Sequence, residues 1–228
     1  MAGNQLLASL STSDRDLMDS HLEPVDLALR KTLEKPNRPI DAAYFPESGF
    51  ASVVAIQSDK KQVEVGLVGR EGMTGLPIVL GNHRSPHSTY MQAAGNGHCI
   101  RASDLREAME ESPSLRNSLL KYVQAFGVQA THTAVCNAKS NLDQRLARWL
   151  LMAHDRISDD VLPLTHEFLS IMLGVRRAGV SEALDTLRTK RLIASGRAGI
   201  RVVNRKGLER HAAESYGIPE SEYRRLIG

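Results

Sequence analysis

The hydrophobic pattern of this chain changes period once, near residue 103, and that change limits the folds open to it. From 40 to 102 the apolar residues fall in short β-rich runs: Ala43-Tyr44-Phe45-Pro46, Phe50 to Ile56, and Gln62 to Val68. Ser58-Asp59-Lys60-Lys61 has the composition of a hairpin turn between the last two runs. Glycines at 66, 69, 72, 75, 81, 95 and 97 punctuate the rest, which points to a small sandwich, roll or barrel. After 103 the spacing is helical. The expected fold is therefore α+β, with an N-terminal antiparallel sheet domain and a helical C-terminal half.

Before the strands, residues 13–34 read as a helical region. Leu17, His21, Leu22, Val25 and Leu29 follow a helix-like spacing, and Ser13 or Asp14 can cap it. The prolines of 35–39 end it.

A long helix is expected from about Ser114 to Asn137, with Ser112 as cap and Pro113 in its first turn. Leu115, Leu119, Tyr122, Phe126, Gln129, Thr133 and Cys136 form one row with steps of four and three. A second row runs through Leu120, Val123, Gly127, Ala130 and Ala134. Two apolar rows require two covers, the sheet domain and the same helix of a second copy. The pairing residues are assigned as Leu115, Leu119, Tyr122, Phe126, Ala130 and Thr133, with Gly127, Ala130 and Ala134 permitting close approach. Ser140 or Asn141 then caps a helix whose inner face is Leu142, Leu146, Trp149, Leu150, Ala153 and Ile157. The domains expected are 1–112, the helix 113–138, and 139–228.

Residues 163–203 carry the functional argument. Thr165 can cap a short helix with Phe168, Leu169 and Met172 inward. Gly174 can take a positive φ in the turn, and a second helix follows with Val180, Ala183, Leu184 and Leu187 inward. Short helix, glycine turn, longer helix is the helix-turn-helix pattern. Arg176, Arg177, Ala178 and Ser181 fall on the side that enters a major groove in such motifs. An arginine fork matches guanine O6 and N7. Leu192 to Ala194 and Gly199 to Val203 then look like a wing hairpin with Arg197 at its tip. Lys190 and Arg201 add positive charge beside it. Residues 161–228 carry 12 Lys+Arg against 7 Asp+Glu, the rest of the chain 17 against 19, so the basic end is the one suited to a polyanion.

Other classes find less support. No apolar run of 18 residues exists, so no membrane span is expected. The start lacks a signal-peptide pattern, so the expected location is the cytoplasm. Cys99 and Cys136 have no CxxC spacing, so no metal cluster or disulfide framework is implied. His83, His87 and His98 lie in the strand region without His-x-His spacing or a matching carboxylate. A metal-dependent β-barrel enzyme is thus a minor alternative. A signal-receiving protein-interaction module with a vestigial DNA-binding end is the other.

The order of parts, with Val68-Gly69-Arg70-Glu71-Gly72-Met73-Thr74-Gly75-Leu76, Asn141 to Leu150 and 164–193, resembles the Crp/Fnr superfamily of transcription regulators. The resemblance implies a β-roll of the cyclic-nucleotide-binding type, a dimer helix and a winged helix-turn-helix. It implies a homodimer on double-stranded DNA, and RNA polymerase as a partner if the protein activates. It places a ligand pocket at Gly72, Met73, Gly75, Leu76, His87, Ser88 and Thr89. Two departures stand out there: Met73 follows Gly72 where nucleotide-binding members have Glu, and His87-Ser88 replaces their Arg-Ser. Without those charges a cyclic nucleotide is not an expected ligand, and no cofactor is expected. On the reading helix, Arg177 matches the family pattern, but Ala178 and Glu182 stand where Glu and a later Arg are usual.

Overall fold

The computed structural model describes residues 3–56, 62–157, 161–196 and 199–228. Strand pairing begins earlier than the periodicity predicts. Helices α1 (Gln5–Ala8) and α2 (Thr12–Asp19) are short, and the region read as helix to residue 34 becomes β1 (Glu23–Leu27) and β2 (Thr32–Glu34). The helix-like spacing of Leu22, Val25 and Leu29 is overridden by a distant partner. Across its length β1 pairs antiparallel with a strand near residue 98, with Pro24 opposite His98. The cap of α2 is Ser11, whose hydroxyl accepts from the Asp14 amide.

The roll continues through β3 (Ala42–Pro46), β4 (Phe50–Ile56), β5 (Gln62–Val68), the single-turn helix α3 (Leu76–Val79), β6 (Ser88–Ala93) and β7 (Gly95–Arg101). Two antiparallel sheets result, ordered β1-β7-β3 and β2-β6-β4-β5. The hairpin turn expected at 58–61 lies outside the described residues.

Helix α4 (Ala102–Glu111) leads to α5 (Pro113–Lys139), 27 residues long. Ser112 caps α5 as predicted, accepting from the Leu115 amide. The hydroxyls of Ser112 and Ser114 also donate to the Asp14 carboxylate, tying the start of α5 to α2. Three of the assigned pairing residues require correction. Leu115, Leu119 and Tyr122 are buried in this chain's own core with Phe45, Met73 and Ile78, while Phe126, Ala130 and Thr133 are half-buried. A row spaced by fours and threes marks an apolar face without saying which neighbour covers it, and here the roll does. The outward stripe is Leu120, Gln124, Gly127, Val128, Thr131, Ala134 and Val135, with Leu120 40% and Val135 48% exposed. A Cβ on Gly127 would meet nothing in this chain.

Helix α6 (Leu142–His154) opens with a capping box between Asn141 and Gln144. Then follow β8 (Val161–Leu162), α7 (His166–Leu173), α8 (Arg177–Thr189), β9 (Ile193–Gly196), β10 (Gly199–Val202), α9 (Arg205–Ala212) and α10 (Ile218–Leu226). Strands β8-β10-β9 form a small antiparallel sheet. The C-terminal unit is not detached from the roll. Its core, built on Leu146, Trp149, Leu150, Leu169, Val180 and Leu184, is continuous with Phe50, Val54 and Leu67 of the roll.

Candidate nucleic-acid interface

Each part of the reading unit is set by a local rule. Thr165 accepts the Phe168 amide at 3.1 Å and starts α7. Gly174 ends it at φ 64°, a left-handed conformation that glycine adopts freely. Arg145 of α6 donates to the Leu173 carbonyl and holds that turn from behind. Helix α8 then buries Val180, Ala183, Leu184 and Leu187. Gly179, unfavourable inside a helix, permits a close approach: a Cβ there would lie 3.1 Å from Leu142 Cδ2 of α6.

The structure places the predicted reading residues together at one end of α8. Arg176 is its N-cap residue and Arg177 its first helical residue; both are exposed, as is Ala178. Neither guanidinium has an ion-pair partner among the described residues. Ser181 is half-buried, and its hydroxyl lies 3.0 Å from His166 Nδ1 and donates to the Arg177 carbonyl. The His166–Ser181 link between the two helices was not foreseen; the spacing of single residues does not reveal side-chain pairs across a turn. Lys190 ends the helix, exposed, with its Nζ 3.4 Å from His211 Nδ1. Arg201 is exposed on β10, with Ala194 of β9 as its cross-strand partner. Arg197 lies outside the described residues. The exposed ends of α7 and α8 with the β9–β10 sheet thus form one surface, with cations at the N-terminal end of α8.

Of the roll residues predicted as a pocket, Gly75, Ser88 and Thr89 meet at Glu34. Glu34 of β2 is buried, which pushes its pKa up. Its Oε1 accepts the Gly75 amide at 2.7 Å, Ser88 Oγ donates to its carbonyl at 3.4 Å, and Thr89 is its cross-strand partner. Gly72 is pressed against the long helix: a Cβ would sit 1.9 Å from the Tyr122 hydroxyl oxygen. Met73 is wholly buried, Leu76 begins α3 half-buried, and His87 is half-buried. Glu34 went unnoticed because its segment reads as helix. Among the described residues no group of three or more His, Cys, Asp or Glu side chains is placed to hold a metal.

The architecture is a β-roll that shares its core with a winged helix-turn-helix. Residues 144–211 match the Crp-like helix-turn-helix domain. The transcriptional regulator SdrP of Thermus thermophilus is 27% identical over 185 residues, 78% of this chain and 87% of that protein. In fold, the chain is similar to FixK2 from Bradyrhizobium japonicum, with TM-score 0.72, 18% identity, and 84% of this chain and 98% of that one covered. It is also similar to a Crp/Fnr-family transcriptional regulator from Eubacterium rectale, with TM-score 0.70, 17% identity, and 91% and 97% covered. The chain thus carries a Crp-like helix-turn-helix domain and has the fold of Crp/Fnr-family regulators.

Proposed function

We propose that this chain is a transcription regulator that works as a homodimer and reads a two-fold symmetric DNA site. The observation that carries this reading is the pair Arg176 and Arg177, exposed at the start of α8 and without an ion-pair partner among the described residues. Free arginine forks at the N-terminal end of a presented helix suit guanine edges in the major groove. The outward stripe of α5, from Leu120 to Val135, supports the dimer. Two copies joined there would present two recognition helices to half-sites about one helical turn apart, roughly 34 Å.

The roll acts as a sensor whose packing sets the position of the reading unit, because the two share one core. The effector is not a cyclic nucleotide. The Gly75 amide, in the loop expected to line the pocket, is already taken by the buried Glu34 carboxyl, and Met73 and His87 stand where nucleotide-binding members have Glu and Arg. RNA polymerase is a partner if the protein activates.

The test is selection from random duplex DNA by wild type beside Arg176→Ala/Arg177→Ala. A symmetric motif that the double variant no longer enriches supports the reading. Equal enrichment by both proteins, or salt-sensitive binding without any motif, overturns it.

A further inference from the structure

The solvent face of α8 is not uniformly basic. Its centre line, directly opposite the buried Val180, Ala183, Leu184 and Leu187, runs through Ala178, Glu182, Asp185 and Thr189, all exposed. Two carboxylates therefore occupy the middle of a surface that would meet a polyanion. Asp185 is compensated within the helix, with its Oδ1 3.2 Å from Arg188. Glu182 has no side-chain hydrogen bond or ion pair among the described residues, while its backbone carbonyl accepts from the Thr186 hydroxyl. It lies one turn beyond Ala178 along the centre of the exposed face.

A carboxylate accepts hydrogen bonds and donates none, and phosphate oxygens repel it. In a major groove its suitable partners are exocyclic amino groups, chiefly cytosine N4. A Glu at the centre of the face is thus either a net repulsion on every sequence or a reader of one base. The free arginines at the head of the helix can carry the phosphate and guanine contacts, which leaves Glu182 the role of discrimination. We infer that Glu182 is a specificity-determining residue that accepts a hydrogen bond from the N4 amine of a cytosine in each half-site. The inference rests on the DNA-reading role proposed above and assigns it a residue and a base.

The experiment is binding-site selection with the full-length protein, comparing wild type, Glu182→Gln and Glu182→Ala. Glu182 is exposed, so both variants keep the fold, which thermal melting verifies. Wild type should enrich cytosine at one position of each half-site. Glu182→Ala should lose that preference by roughly fivefold or more, the discrimination expected of one good base contact. Glu182→Gln should shift the same position toward adenine, whose N6 and N7 match a glutamine amide. An unchanged motif in both variants overturns the inference. So does a uniform rise in affinity for all sequences, the behaviour of plain charge repulsion. If wild type enriches no motif at all, the sequence-specific reading itself fails, and that outcome is distinct from either.

Discussion

The indole Nε1 of Trp149 donates to Oε1 of Glu64 across 2.6 Å, joining the helix that precedes the reading unit to a strand of the roll. Ser52 donates to the other carboxyl oxygen at 2.6 Å, so the buried carboxyl is bonded at both oxygens. The same indole meets Phe50 of the roll edge-on, with ring centroids 6.2 Å apart, and Phe168 of α7 at 5.5 Å. One side chain thus touches the sensor-like sheet, its buried acid and the first helix of the helix-turn-helix. A shift of β4 or β5 cannot leave Trp149 in place, and Trp149 in turn bears on α7. Trp149 is thus one physical connection between the roll and α7.

That joint should depend on pH. Burial pushes the Glu64 pKa up to about 7, opposed by the Ser52 and Trp149 bonds and by the nearby Arg148 and Arg156 guanidiniums. The folded state therefore holds a proton that the unfolded chain releases at the ordinary glutamate value of about 4.3. The resulting stability is fully present below that value and is lost as pH rises through about 7. Wild type should be less stable to urea at pH 8 than at pH 5.5, and Glu64→Gln should flatten the difference. An identical pH slope in Glu64→Gln would assign the dependence elsewhere.

A second bond crosses the same joint near the glycine-rich loop. Arg156 reaches Glu71 at 2.6 Å, with side chains 8% and 17% exposed, and also donates to the Met152 carbonyl. Gly69 permits this, since a Cβ there would meet the Arg156 side chain at 2.6 Å. Arg156→Met strands a half-buried carboxylate and should lower stability by about 3–5 kcal/mol in urea denaturation. Adding Glu71→Leu should recover part of that loss, so the double variant is the milder one.

Gly174 gives a sharper local test. Its left-handed conformation strains any side chain, yet a Cβ would find only Val63 Cγ2, at 3.7 Å. Gly174→Ala should therefore cost about 1–2 kcal/mol from backbone strain alone. A thermal melt indistinguishable from wild type would contradict the turn geometry.

Much of the helix-turn-helix was legible because its rules are local. The Thr165 cap, the Gly174 turn and the exposed arginines each follow from a few adjacent residues. What stayed hidden depended on distant partners. The helix-like spacing from Leu22 to Leu29 gives way to strand only because β7 lies alongside. Glu34 and Glu64 are charged letters in strand sequences, and nothing nearby shows that each carboxyl is buried among amide, hydroxyl or indole donors. Arg148 is similar: it belongs by spacing to the polar side of α6 but is 5% exposed, covered by the rest of the fold.

The long helix shows the same limit, and it yields the clearest test of assembly. Both rows of α5 are apolar, but only one is uncovered. Val135, 48% exposed, lies on that stripe beside Gly127 and Thr131, whereas Leu119 is wholly buried against the roll. Val135→Glu would place a charge in the proposed seam between copies, at an exposed position of this chain. Sedimentation should show it shifted from dimer to monomer. Its affinity for a symmetric site should fall by roughly 10²-fold or more, since two linked reading helices gain that much over one. Leu119→Ala should behave in the opposite way, losing about 2–5 kcal/mol of folding stability through a cavity while remaining a dimer. If Leu119→Ala is the variant that dissociates and Val135→Glu stays paired, the seam lies on the other face of the helix.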